Sequence, residues 1–169
     1  MIFRLSQKLN AKIKAGPLVE LPLDKNPFAD WSAHLFVVGR TQYILVCNTK
    51  SLYSTVIPSE GITNRSAFLE RTLEQLREFL ADDNQQSVFR QFIAPSIGSV
   101  HFAKALNRVV TSSMNELILS ATAWLEDGVS PYDVGFRLNT VLLSAIAPSK
   151  AAKYGVPREA FQAMVGNQN

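Results

Sequence analysis

The period of the hydrophobic pattern changes once along this 169-residue chain, close to residue 60. Before that point apolar residues tend to alternate with polar ones, as they do in strands with one buried face. From Asn64 onward they recur every three or four residues, as they do in helices that bury one side. Strands that come first, with helices after them, are typical of the α+β class.

Three predicted strands follow one another in residues 31–57. Gly39-Arg40-Thr41 and Asn48-Thr49-Lys50 separate them as short turns, and Pro58 ends the last strand. Connections this short join antiparallel neighbours, so the pattern predicts a meander. Residues 1–5 suit a further strand, and Ser6 can cap a short helix that follows it. We therefore expect an antiparallel sheet of three or four strands in residues 1–60.

The helical part is predicted to cover residues 64–165, with four or five helices packed on one face of the sheet. Asn64 or Ser66 can cap the first long helix, and Ser130-Pro131 opens another that we expect to reach about Ile146. Residues 101–125 are predicted to form one long helix. The length favours a single α+β domain over residues 1–169.

Composition excludes several classes of protein. A hydrophobic fraction of 47% with 18% charged residues is typical of a globular chain and too apolar for disorder. No apolar run is long enough to span a bilayer, and the N-terminus lacks the continuous apolar segment of a signal peptide. The single cysteine, Cys47, excludes an internal disulfide, and its apolar strand predicts a buried, inert thiol. These features favour the cytoplasm and no membrane partner.

The positive charge is mild and gives only weak support for nucleic acid as a partner. The net charge is +3, and the excess lies in residues 1–60. A dedicated nucleic-acid binder usually carries a denser basic patch. The residues that could form one near the sheet are Lys8, Lys12, Lys14, Arg40 and Lys50.

Catalytic and metal-binding patterns are not found in the sequence. His34 and His101 are far apart, and neither has a cysteine or carboxylate at ligand spacing. No serine lies in a nucleophile elbow, and no glycine-rich phosphate loop is present. We therefore predict no catalytic residue, no metal and no cofactor, and we interpret His34 as a structural or surface residue.

The polar side of the long predicted helix is the strongest candidate for a binding site. Its polar residues are short hydroxyl and amide side chains rather than the usual lysines and glutamates, and Arg108 and Asn115 lie seven residues apart on one side. Such a row could bind a loop, a peptide backbone or a phosphate. Two simpler interpretations are a solvated face and hydrogen bonds inside the protein. The candidates are Lys104, Arg108, Ser112 and Asn115, with Arg137 and Asn139 as a second small group.

Several segments resemble a bacterial family of proteins known as domain of unknown function 6933. The similar segments are residues 31–36 (WSAHLF), 44–48 (ILVCN), 51–54 (SLYS), 107–116 (NRVVTSSMNE) and 137–139 (RLN). His34 stands where the family usually has Asn, and Thr111-Ser112 stand where it tends to have Leu-Gly. The resemblance implies a small, soluble bacterial domain without an established activity. It implies that the positions to test first are Asn107, Arg108, Ser113, Met114 and Asn115.

The function that these observations favour is a non-catalytic protein-interaction or regulatory module, which binds a protein partner or a second copy of itself. One alternative is a nucleic-acid-binding protein that uses the basic residues of the N-terminal part. A second alternative is an enzyme with a site around Arg108 and Asn115, joined by His34 or His101.

Overall fold

A mixed sheet of five strands forms the centre of the computed structural model, which describes residues 1–167. The strands are β1 (Ile2–Leu5), β2 (Asp30–Val38), β3 (Thr41–Asn48), β4 (Ser54–Pro58) and β5 (His101–Ala103). Their order across the sheet is β4-β3-β2-β1-β5. The predicted meander of β2, β3 and β4 is confirmed, since these strands pair antiparallel.

The expectation of a purely antiparallel sheet with three or four strands is wrong. β1 pairs in parallel with β2 and also with β5. A parallel neighbour requires a long crossover, and residues 6–29 between β1 and β2 supply one that contains a helix. β5 was not predicted because it has only three residues and pairs with β1, almost one hundred residues earlier in the chain.

Six α-helices accompany the sheet in the described part of the chain. They are α1 (Gln7–Ile13), α2 (Arg65–Asp82), α3 (Gln86–Val88), α4 (Arg108–Glu126), α5 (Pro131–Leu138) and α6 (Pro157–Gly166). A π-helical turn, Phe89–Ile93, continues α3. Three predicted caps are confirmed, since the side chains of Ser6, Asn64 and Ser130 each accept a hydrogen bond from a backbone N–H of the first helical turn.

The helices cover both faces of the sheet, so the prediction that they pack on one face is wrong. Trp31 and Val46 point into a core shared with α1, α2 and α6. Leu45 and Cys47 point into a second core, shared with α4 and α5. Residues 44–47 form an uninterrupted apolar run, which is the pattern of a strand buried on both faces.

The long helix is shorter than predicted at its beginning. His101–Ala103 is strand β5, whose first N–H donates to the carbonyl oxygen of Met1 at 2.9 Å. α4 begins at Arg108, where the Asn107 side chain accepts a hydrogen bond from the N–H of Val110. α5 also ends early, at Leu138 instead of about Ile146.

Candidate functional site

The outer face of α4 carries the predicted residues Arg108, Ser112 and Asn115, and all three are exposed. Among the residues that the structure describes, no ion pair involves Arg108. Of the two simpler interpretations of this row, the geometry therefore agrees with a face open to solvent rather than with internal hydrogen bonds. The opposite side of α4 is core, as predicted, with Val110, Leu117 and Ala121 buried.

Two further candidates lie before α4 and have structural contacts. The amide of Asn107 is the N-cap, because its oxygen accepts from the Val110 N–H at 3.0 Å. Lys104 follows β5 and lies 3.5 Å from Glu20 in an ion pair exposed to water. Ion pairs of this kind contribute little to stability. Neither residue therefore extends the row on the helix.

Arg137 and Asn139 do not form a second polar site. Asn139 is fully buried, and its amide is hydrogen-bonded to the backbone of Ser54. Arg137 is exposed, and its guanidinium lies 5.8 Å from the ring centre of Trp124. The first residue holds α5 against the sheet, and the second covers an aromatic ring.

His34 is half-buried under α4, in a cleft of about 220 Å³ that is closed on one side by the sheet. Thr111 and Met114 of α4 form the other wall. Burial, and after it the positive charge of Lys8, lowers the pKa of His34 below its ordinary value of 6.5. A neutral imidazole offers one donor and one acceptor. His34 is therefore placed to form hydrogen bonds within a mostly apolar cleft.

This cleft lies at the carboxyl end of β1 and continues toward β5. The chain leaves β1 into α1, which packs on one face, and leaves β5 toward α4 on the opposite face. Leu5, Ser6 and Gln7 line both the cleft at His34 and a neighbouring cleft of about 430 Å³ that reaches Lys104. In open sheets with parallel strands, ligands bind at such a point, where connections leave toward opposite faces.

The candidate residues do not converge on one place. The cleft that contains His34 does not include Arg108 or Asn115, and Arg108 instead lines a shallow groove beside Ser144 and Ala145. His101 is exposed on β5. The geometry that the enzyme alternative required, with Arg108, Asn115 and a histidine around one pocket, is therefore not assembled.

The basic residues of the N-terminal part are also divided. Arg40 precedes β3 and Lys50 follows it, so the strand of eight residues separates them by about 25 Å or more. Lys12 donates a hydrogen bond to Gln42 and shares a cleft with Arg40 and with the acidic Glu60. This arrangement is not the continuous basic surface that phosphate backbones favour.

A buried ion pair near the cleft is a feature that sequence reasoning missed. The Nε and Nη2 atoms of Arg4 each lie 2.8 Å from an oxygen of Asp30. The remaining N–H groups of Arg4 donate to the carbonyl oxygens of Leu21, Pro22 and Lys104. Since all five donors are used, Arg4 fixes the crossover segment and is not available to a ligand. The signal in the sequence that could have revealed this ion pair is the arginine in the middle of the apolar strand Ile-Phe-Arg-Leu.

A second missed cluster surrounds Asp83 at the end of α2. Its carboxylate accepts hydrogen bonds from the Tyr53 hydroxyl at 2.6 Å, from Gln85 and from Arg158. Burial, followed by the contact with Asp83, raises the pKa of Tyr53. Tyr53 also stacks on Phe161 at 4.4 Å. Through these contacts the cluster joins α6 to the sheet and to α2.

Within residues 1–167, no group of three or more His, Cys, Asp or Glu residues is arranged to hold a metal ion. No helix in these residues has the length and hydropathy needed to cross a membrane.

These features define a class of protein: an α+β domain with helices on both faces of a mixed sheet. The outer face of its longest helix, α4, is exposed to solvent. The family described as Domain of unknown function (DUF6933) matches residues 2–160, and the chain belongs to this family. The resemblance noted in the sequence is thereby confirmed. No curated protein and no solved structure matches the chain.

Proposed function

We propose that this protein is a non-catalytic interaction module that binds another protein chain through the outer face of α4. The observation that carries the proposal is the exposure of Leu119, which lies in the middle of this face with 73% of its surface open to solvent. Val109, on the same helix, is 59% exposed. Large apolar side chains at these positions are free to be covered by a partner.

The rest of the outer face supports the same interpretation. α4 contains only three charged residues in nineteen, Arg108, Glu116 and Glu126. The exposed positions between them include Ser112 and Asn115. A helix that only meets water usually carries many charges, whereas the centres of interfaces are depleted in them.

Site-specific crosslinking tests this proposal. A photoreactive benzophenone amino acid replaces Leu119 in the full chain, which is produced and irradiated in its native cell. We expect an adduct with a second polypeptide. The matched control places the same group at Val37, an apolar residue on β2 that is 56% exposed. Absence of an adduct at position 119, or equal adducts at both positions, would contradict the proposal.

A regulatory module that binds a small organic molecule beside His34 is the second candidate. It is favoured by the cleft at the carboxyl end of β1, whose walls are mainly apolar and whose imidazole is neutral above its lowered pKa. Such walls suit a small ligand that is mostly apolar and carries one hydroxyl or amide group. Phenol is a suitable probe. Saturable shifts of the His34 ring signals in NMR spectra, lost in His34→Ala, would support this candidate, and unchanged signals would reject it.

A further inference from the structure

The two ends of α4 carry charges of the unfavourable sign. Arg108 is the first residue of the helix and Glu126 is the last. A helix has partial positive charge at its N-terminus and partial negative charge at its C-terminus, so each of these side chains is repelled by its own helix end. The first turn contains no acidic residue and the last turn no basic residue. Neither Arg108 nor Glu126 has an ion-pair partner within residues 1–167.

Arg108 and Glu126 also lie on the same side of the helix. Eighteen residues separate them, which is about five full turns at about 100° per residue. Ser112, Asn115 and Leu119 fall within about 40° of the same line by the same geometry. All five are exposed. We call this set, Arg108, Ser112, Asn115, Leu119 and Glu126, the outer row.

The charges of the outer row are complementary to those of a second, antiparallel copy of the same row. A two-fold axis through the level of residue 117 pairs position 108 of one helix with position 126 of an antiparallel copy. It likewise places Asn115 opposite Leu119 of the copy. Each Arg108 then meets a Glu126, and each helix end receives an opposite charge from the other copy. Closed two-fold contacts of this kind are the commonest in homo-oligomers.

We propose that two copies of this chain form an antiparallel dimer through the outer rows of α4. This inference rests on the proposed function and names the partner as a second copy. The Leu119 side chains and the Asn115 amides of both copies form the centre of the contact. The remaining charge, Glu116, lies about 80° from the row and stays at the rim in water.

The area of the row limits the strength of this dimer. α4 is about 28 Å long and about 10 Å wide, so the row alone offers on the order of 300 Å² per copy. A standard interface buries about 800 Å² per partner. The loop beside α4, which carries Leu142 at 64% exposure, must add to the contact. We therefore expect a dimer that dissociates in the micromolar range rather than a permanent one.

Charge exchange across the dimer tests the geometry. Arg108→Glu and Glu126→Arg each place like charges together in a homodimer, so each variant is expected to weaken self-association by about tenfold in dissociation constant. An equimolar mixture of the two variants restores opposite charges at both ends. The double variant does the same. Sedimentation velocity across a concentration series of the full chain measures all four samples.

Leu119→Glu tests the centre of the contact and is expected to leave only monomer. Val37→Glu is the matched control and is expected to retain the dimer. Circular dichroism of each variant shows whether it is folded. A wild-type chain that remains monomeric at several hundred micromolar would overturn the inference, and so would a dimer that responds to none of these changes. If Leu119 crosslinks only to a different protein, this inference fails while the proposed function stands. If Leu119 crosslinks to nothing, both fail.

Discussion

The side-chain amide of Asn139 makes two hydrogen bonds to the backbone of Ser54, as a neighbouring strand would do. The Ser54 N–H donates to Asn139 Oδ1 at 2.7 Å, and Asn139 Nδ2 donates to the Ser54 carbonyl oxygen at 2.9 Å. Ser54 begins β4, which is an edge strand of the sheet. Asn139 therefore satisfies backbone hydrogen-bonding groups at an edge of the sheet that would otherwise be open to pairing with another chain.

The close approach of α5 to β4 depends on Gly135. A Cβ atom at this position would lie 2.8 Å from the ring of Phe79 and 3.2 Å from the Cα atom of Thr55. The small residue lets the helix lie against the strand, and Asn139 follows one turn later at the helix C-cap. The packing and the hydrogen bonds thus reinforce one another.

Replacement of Asn139 by Ala is expected to lower the free energy of unfolding by about 3 kcal/mol, because it leaves a buried N–H and a buried C=O without partners. Asn139→Asp should cost at least as much, since a carboxylate cannot donate to the Ser54 carbonyl oxygen. Urea unfolding measures both. Asn115→Ala is the exposed control and should change stability by less than about 0.5 kcal/mol. Equal effects at positions 139 and 115 would contradict the assigned role.

Removal of one partner from the buried pair of Arg4 and Asp30 should destabilise the protein strongly. Arg4→Met leaves the carboxylate of Asp30 buried without its counter-charge, so we expect a loss of about 4 kcal/mol in urea unfolding. The double variant Arg4→Met with Asp30→Asn removes the charge and should recover part of this loss. Lys104→Met, which breaks the exposed pair with Glu20, should cost less than about 1 kcal/mol.

A double variant no more stable than Arg4→Met alone would show that the charge of Asp30 is not the source of the loss. The contacts of Arg4 with the carbonyl oxygens of residues 21 and 22 would then carry the effect.

Reversal of the charge at the start of α4 should stabilise the monomer. Arg108→Glu places a negative side chain at the positive end of the helix, which is worth about 0.3–1 kcal/mol. Thermal unfolding in dilute, low-salt solution, where the chain is monomeric, measures this gain. Arg77→Glu, an exposed change in the interior of α2, is the control and should bring no such gain. A lower melting temperature for Arg108→Glu would mean that Arg108 has a stabilising contact within its own chain.

Local signals in the sequence predicted much of the fold. Ser6, Asn64 and Ser130 were recognisable as helix caps because a cap acts within a single turn. The meander was recognisable because its turns are short. β5 was missed because its partner lies almost one hundred residues away, and no local pattern records such a pairing.

The candidate site was only partly predictable. The face of α4 followed from helical periodicity, and its exposure agrees with the solvated alternative. Asn139 was predicted to belong to a second small polar group, but the end of α5 turns its side chain toward Ser54, a contact between distant segments. The interaction function, the bacterial origin and the cytoplasmic location stay predictions.

Cys47 should react with thiol reagents only when the protein unfolds. Its side chain is fully buried in β3, as the sequence predicted, and burial raises the pKa of the thiol. Only the thiolate is an effective nucleophile. Iodoacetamide labelling followed by mass spectrometry should therefore increase with urea in parallel with the loss of circular dichroism. Rapid labelling without urea would show that the sheet opens locally at β3.

The lowered pKa of His34 should make stability depend on pH in the weakly acidic range. Burial of the imidazole and the charge of Lys8 disfavour its protonation in the folded state, whereas the unfolded chain protonates near 6.5. As the pH falls below this value, the unfolded state binds the proton first. The free energy of unfolding therefore decreases as the pH decreases through this range. The contribution of the neutral His34 side chain to stability is complete only above about pH 6.5.

A variant with an uncharged side chain at position 34 separates the contribution of His34 to the pH dependence of stability from the contributions of the other titratable groups. His34→Asn should remove part of the fall in urea midpoint between about pH 7.5 and about pH 5.5, where most carboxylates stay ionised. His101→Asn, on the exposed strand β5, is the control and should preserve the wild-type fall. If His34→Asn keeps the full pH dependence, the imidazole is protonated as easily in the folded chain as in the unfolded one, and the cleft does not hold it neutral.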